Sequence, residues 1–94
     1  MGRVRKGRDI DAAFCQKGFR RDVSGKHIQY FLSGFNEIRT MMSHGDMGDT
    51  IGANLIARMA RQIHLTKSQF LNLIDCPLTE EQYREILREQ NFAV

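Results

Sequence analysis

No apolar run in this chain approaches the roughly 20 residues that a bilayer-spanning helix needs, so a membrane protein of that kind is not expected. Cysteine is scarce. Cys15 and Cys76 lie far apart and neither belongs to a CxxC pair, so two reduced, partly buried thiols in a cytoplasmic protein are the simplest reading. His27, His44, Cys15, Cys76, Asp46 and Asp49 include metal-ligand types but no zinc-like spacing. P-loop, dinucleotide and local Ser-His-Asp signatures are also missing, so neither a metal nor a cofactor is expected. The basic residues at the N-terminus are not followed by an apolar segment, which argues against a secretory signal. Proline occurs once, at Pro77, where it separates two helical patterns. There is no internal repeat and no low-complexity tract.

What is present fits one small folded domain. The chain has 94 residues, 41% of them hydrophobic and 27% charged, a balance that does not suggest disorder. A domain this short buries only about 60–65% of its unfolded surface, so its core is thin and homodimerisation is one way to supplement it. The net charge of +3 permits nucleic-acid binding without demanding it. Much of the excess is local, in Arg3, Arg5, Lys6 and Arg8. Residues 1–8 therefore read as a basic tail, either a solvated one or an arm that touches phosphates.

Periodicity then gives the elements. Asp9 can cap a helix over 9–17, with Ile10, Ala13 and Phe14 on one side and Gly18 as its stop. From Phe19 the period changes to two. Strands are predicted from Phe19, over 26–32 and over 37–42, joined by turns at Ser24-Gly25 and at 33–36. The segment 43–49, with two glycines and two aspartates, reads as a loop. Asp49 or Thr50 can cap a longer helix to about Ile63, with Ile51, Leu55, Met59 and Ile63 on one stripe. Capping boxes at Thr66–Gln69 and Thr79–Gln82 open two more short helices.

The fold class is thus α+β: a helix, a three-stranded antiparallel meander, a helix, and two short C-terminal helices. The helices should cover the face bearing Ile28, Tyr30, Leu32, Ile38 and Thr40. The opposite face would then carry Arg20, Asp22, His27, Gln29, Glu37 and Arg39, a polar surface with a histidine among arginines. A one-residue slip would invert it.

His64, near the end of the long helix, fits a structural role at the negative end of the helix dipole. His27 and His44 differ from it. In an antiparallel meander the end of the third strand lies beside the start of the second, which sets both histidines at one sheet edge. Two such groups can act as base and acid in RNA cleavage, one taking the proton of a ribose 2′-hydroxyl and the other protonating the leaving 5′-oxygen. Arg20 or Arg39 could stabilise the phosphorane charge. Arg20, Lys26, Gln29 and Arg39 are the candidate RNA-binding residues, and His27 and His44 the candidate catalytic ones.

Short pieces of the chain resemble the HicA family of toxin ribonucleases. They are Lys17-Gly18-Phe19, Gly25-Lys26-His27-Ile28-Gln29-Tyr30, Met42-Ser43-His44 and Arg61-Gln62-Ile63-His64-Leu65. The resemblance implies a core over 9–65 built like a trimmed double-stranded RNA-binding domain, metal-independent cleavage of mRNA, a HicB-like antitoxin partner, and a catalytic role for His27. Lys26 stands where the family usually has Ser or Thr, Ile28 where many members have a second His, and Met42-Ser43 where a Val-Pro pair is usual. Residues 66–94 have no counterpart in the minimal family and read as a helical extension of one domain over 9–94. Two other readings remain open. One is a non-catalytic RNA-binding module on the same scaffold; the other is a helical domain for protein interaction or dimerisation.

Overall fold

The computed structural model describes residues 4–75 and 77–94. In chain order it contains β1 (Arg5–Lys6), α1 (Gly7–Gln16), β2 (Phe19–Asp22), β3 (His27–Leu32), β4 (Phe35–Ser43), a 3₁₀ helix (His44–Gly48), β5 (Thr50–Ile51), α2 (Ala53–Gln62), α3 (Lys67–Ile74) and α4 (Glu80–Glu89). Strands β2, β3 and β4 form the antiparallel meander, with β3 in the middle. The α+β class and the order helix, three strands, helix follow the sequence pattern, and two further helices complete the chain. Among the described residues no helix is long and apolar enough to cross a membrane.

The period-two alternation sets the sheet in the expected register. Ile28, Tyr30 and Leu32 of β3 are buried, as are Ile38, Thr40 and Met42 of β4. Helices α1, α2 and α3 pack over this face with Ile10, Phe14, Ile56, Met59, Phe70 and Leu73. Phe14 anchors the layer, its ring lying 4.8 Å from both Phe19 and Tyr30 and 5.9 Å from Phe70. Aromatic contacts at these distances add about 0.5–1.5 kcal/mol each beyond the area they bury. The two-residue turn Ser33-Gly34 joins Leu32 to Phe35, and Gly34 takes φ +84, which an L side chain resists. An irregularity between Phe31 and Leu32 then restores the ladder, so that Phe31 faces Arg39.

Polar groups inside the fold are paired. The Tyr30 hydroxyl donates to Asp11 Oδ1 at 2.7 Å, and Arg21 Nη1 donates to both Asp11 oxygens at 3.0 and 2.8 Å. Burial first, then the bond to Asp11, hold Tyr30 well above an ordinary phenol. Thr40 donates to Gln62 at 2.6 Å, tying β4 to α2. Lys17 is buried and its ammonium donates to the Leu78 carbonyl. A double-mutant cycle checks the first network. Tyr30→Phe is expected to cost about 1 kcal/mol in urea unfolding, and Asp11→Ala about 1–3 kcal/mol, because it strands a buried hydroxyl. The double variant should cost clearly less than the sum, and strict additivity would show that the bond contributes nothing.

Some boundaries differ from the sequence pattern. Helix α1 starts at Gly7 after Lys6, with no side-chain cap, rather than at Asp9. Residues 5 to 8, read above as part of a basic tail, belong to the fold. Arg5 and Lys6 pair with Ile51 and Thr50, and Arg5 forms an ion pair with Asp75 at 2.5 Å. That pairing takes Thr50 and Ile51 out of α2, so the helix begins at Ala53 behind Gly52. The supposed loop 43–49 is a 3₁₀ helix with its own capping box, Ser43 to Asp46. The Thr66–Gln69 and Thr79–Gln82 boxes form as expected. Cys15 is exposed rather than partly buried, and its thiol pKa is raised by what burial it has and by the Asp11 charge. Cys76 lies outside the described residues.

Candidate functional site

The uncovered face of the sheet is the candidate site. Along β3 the exposed side alternates as His27, Gln29 and Phe31, and the neighbouring strands extend each position into a row. Arg20, Phe31 and Arg39 form one row, Asp22, Gln29 and Met41 the next, and His27 with Ser43 the last. Lys26 is exposed in the turn just before His27. Asp22 is occupied locally. Its Oδ1 accepts from the Ser24 amide at 2.9 Å and the Ser24 hydroxyl at 2.6 Å, and these bonds hold its carboxyl below the usual range.

Both histidines lie at one edge of the sheet. His27 faces Ser43 across the β3–β4 ladder, and His44 follows directly. Both are exposed. His44 Nε2 lies 3.0 Å from the Gly25 carbonyl oxygen, an acceptor only, so in the neutral ring Nε2 carries the proton and Nδ1 holds the lone pair. His44 thereby pins the β2–β3 turn that leads into His27. Ser43 fixes His44 in turn, because its hydroxyl accepts from the Asp46 amide at 3.2 Å and its amide donates to Asp46 Oδ2 at 3.0 Å. No described residue hydrogen-bonds to the His27 ring.

The arginines stand elsewhere on the face. Arg20 places its guanidinium carbon 4.8 Å from the Phe31 ring centre, and Arg39 places its own 6.0 Å from it. Phe31 lies four residue steps along the strand from His27, about 13 Å. Arg20 and Arg39 are therefore too far along the strand to stabilise a phosphorane held at His27, and Lys26 is the nearer cation in the chain. Phe31 is a member of this surface that the sequence reading left unassigned. Its signal was available, an aromatic at a polar-face position of β3 with an arginine at the same face on each neighbouring strand.

His64 is not part of the site. It sits just past α2 with φ +65, its amide bonded to the Arg61 carbonyl and the Leu65 amide to that of Ala60. This closes the helix in the manner usually given to glycine. Its ring packs 4.7 Å from Phe92. Among the described residues no three His, Cys, Asp or Glu side chains are grouped as metal ligands. A shallow cleft lined by Arg5, Asp9, Ala13, Gln16 and Asp75 lies away from the open sheet face.

No protein-family model matches this chain, and comparison with curated proteins and with solved structures gives no match either.

Proposed function

We propose that this chain is a cytoplasmic RNA-binding protein of HicA-like type that cleaves mRNA at the His27 edge of its sheet without a metal ion. The observation that carries the reading is the juxtaposition of two exposed histidines at one end of a polar face bearing Arg20, Lys26, Gln29 and Arg39. In the reaction, a histidine takes the proton of a ribose 2′-hydroxyl. The freed oxygen attacks the adjacent phosphorus, the bond to the 5′-oxygen breaks, and that oxygen takes a proton from the second acid. The products are a 2′,3′-cyclic phosphate and a 5′-hydroxyl. His27, whose ring is unengaged, is the group best able to turn toward the ribose. His44 holds the turn through Nε2, and in its imidazolium form it would give the Nδ1 proton to the leaving 5′-oxygen. As in a toxin of this kind, the partner would be a HicB-like antitoxin.

The test is cleavage of RNA in the presence of a chelator. His27→Ala is expected to lower the rate about a hundredfold or more, with an unchanged circular-dichroism melt. Equal cleavage by the variant would sink the assignment. A second reading is favoured by the absence of a described group that orients the His27 ring: a binding module without cleavage. It predicts no product from the wild type, but RNA affinity that falls with salt by about 0.7 log unit for each phosphate contact per log unit of salt.

A further inference from the structure

Phe31 is a half-exposed aromatic on the side of β3 that otherwise carries His27 and Gln29, while Ile28, Tyr30 and Leu32 fill the core on the other side. Its neighbours across the sheet are Arg20 and Arg39, one from each flanking strand. Both guanidiniums lie over its ring, and Arg20 adds only a long contact to Asn36 at 3.4 Å. The charge of Arg20 also acts on the Asp22 carboxyl, but among the described residues neither guanidinium is held in an ion pair. Arg21, Arg84 and Arg88 each form an ion pair, whereas among the described residues Arg20 and Arg39 form none. The adjoining row adds an exposed thioether at Met41, 38% accessible, and the amide of Gln29.

We propose that the Arg20–Phe31–Arg39 row is a stacking platform for an unpaired base of single-stranded RNA, the two guanidiniums swinging off the ring onto the phosphates on either side as the base takes their place. This rests on the RNA reading of the same face and names the form of RNA it takes. A ring set between cations offers what a single strand presents, a base plane and a backbone charge. A duplex hides its base planes in the stack and would leave Phe31 idle. Because every base has a π-face, the platform holds RNA with little regard to sequence. Its distance from His27, about 13 Å along β3, means that the stacked base is not the one beside the phosphate at His27. The platform instead holds the strand at a second point and draws it across the sheet toward the histidine edge.

The chain contains no tryptophan, so Phe31→Trp places a single tryptophan, excited selectively at wavelengths beyond tyrosine absorption, at the platform of the intact protein. The probes are a short 2′-O-methyl oligoadenylate, which cannot be cut, the same strand annealed to its complement, and inorganic polyphosphate. The single strand is expected to quench the emission, and the duplex and polyphosphate to leave it unchanged. Phe31→Leu should bind the single strand about tenfold more weakly than wild type, consistent with the loss of one stacked base, at an unchanged melting temperature. RNA binding with duplex and single strand equal, and emission unmoved, would overturn the platform and leave the RNA reading standing. No RNA binding at all would overturn both. A blue shift that grows with protein concentration in the absence of RNA would show that a second copy covers the ring, and would also overturn the platform.

Discussion

A chain ending at Leu78 is expected to give no cooperative thermal transition by circular dichroism and a collapsed amide spectrum by NMR. Helix α4 buries Tyr83 and Leu87 completely. The Tyr83 ring stacks on Phe19 at 5.7 Å, and its hydroxyl donates to the Ile63 carbonyl at 2.9 Å, so one side chain joins the start of β2 to the end of α2. Desolvation in that position raises the phenol well above its ordinary pKa. Beyond the helix, Phe92 meets Phe35 edge-on at 5.8 Å, and Gln90 donates to the His64 carbonyl at 2.9 Å. Truncating a buried Leu or a large aromatic costs about 2–5 kcal/mol each. The two together come to about 4–10 kcal/mol, which rivals the whole stability of a domain this size, about 5–14 kcal/mol. Tyr83→Ala alone should lower the urea midpoint strongly and Tyr83→Phe more mildly, through the unpaired Ile63 carbonyl. A cooperative melt from the chain ending at Leu78 would show instead that the extension is an accessory to a self-sufficient core.

That dependence bears on what could be read in advance. The strand alternation from Phe19 to Met42 was legible because one face is buried, and a slip would have turned Tyr30 and Ile38 to water. The Thr66 and Thr79 boxes were legible because caps are local. The role of residues 66–94 was not, since amphipathic helices can cover their own core, a second copy or a partner equally well. Here Phe70, Leu73, Tyr83 and Leu87 are core residues, so the fold extends past the segment 9–65 that carries the HicA resemblance.

The misplaced boundaries share one cause. Asp9 as a cap and Thr50 as a helix start are sound local choices, but a two-residue ladder between Arg5–Lys6 and Thr50–Ile51 overrides both. Pairing over that sequence distance leaves no periodic trace. At the site, meander geometry was enough to set His27 and His44 at one edge. It could not show that His44 is engaged with Gly25, nor that Arg20 and Arg39 gather on Phe31, because both depend on side-chain direction rather than on register.

Gly7→Ala is expected to cost about 3 kcal/mol or more, a fall of about 12–24 °C in melting temperature for a domain of this length. The site lies where α1 begins against the 3₁₀ helix. A Cβ added to Gly7 would fall far inside the van der Waals contact distance of the Asp46 carbonyl oxygen, with the Asp46 carbonyl carbon at 2.8 Å and Met47 Cα at 3.1 Å. All three are backbone atoms, so no rotamer change relieves the clash. The Gly7 amide also donates to the Asp49 carbonyl at 2.8 Å, which keeps the two segments from drifting apart cheaply. Gly48→Ala is the control. It lies in the same 3₁₀ helix with open space around its Cβ position, and its replacement should change stability by less than about 1 kcal/mol. The segment pressed by Gly7 begins at His44, whose ring pins the turn before His27. At a temperature where Gly7→Ala remains folded, its His44 resonance should therefore shift, whereas Gly48→Ala should leave it in place. An unshifted His44 in a destabilised Gly7→Ala would show that the brace supports the core without reaching the histidine edge.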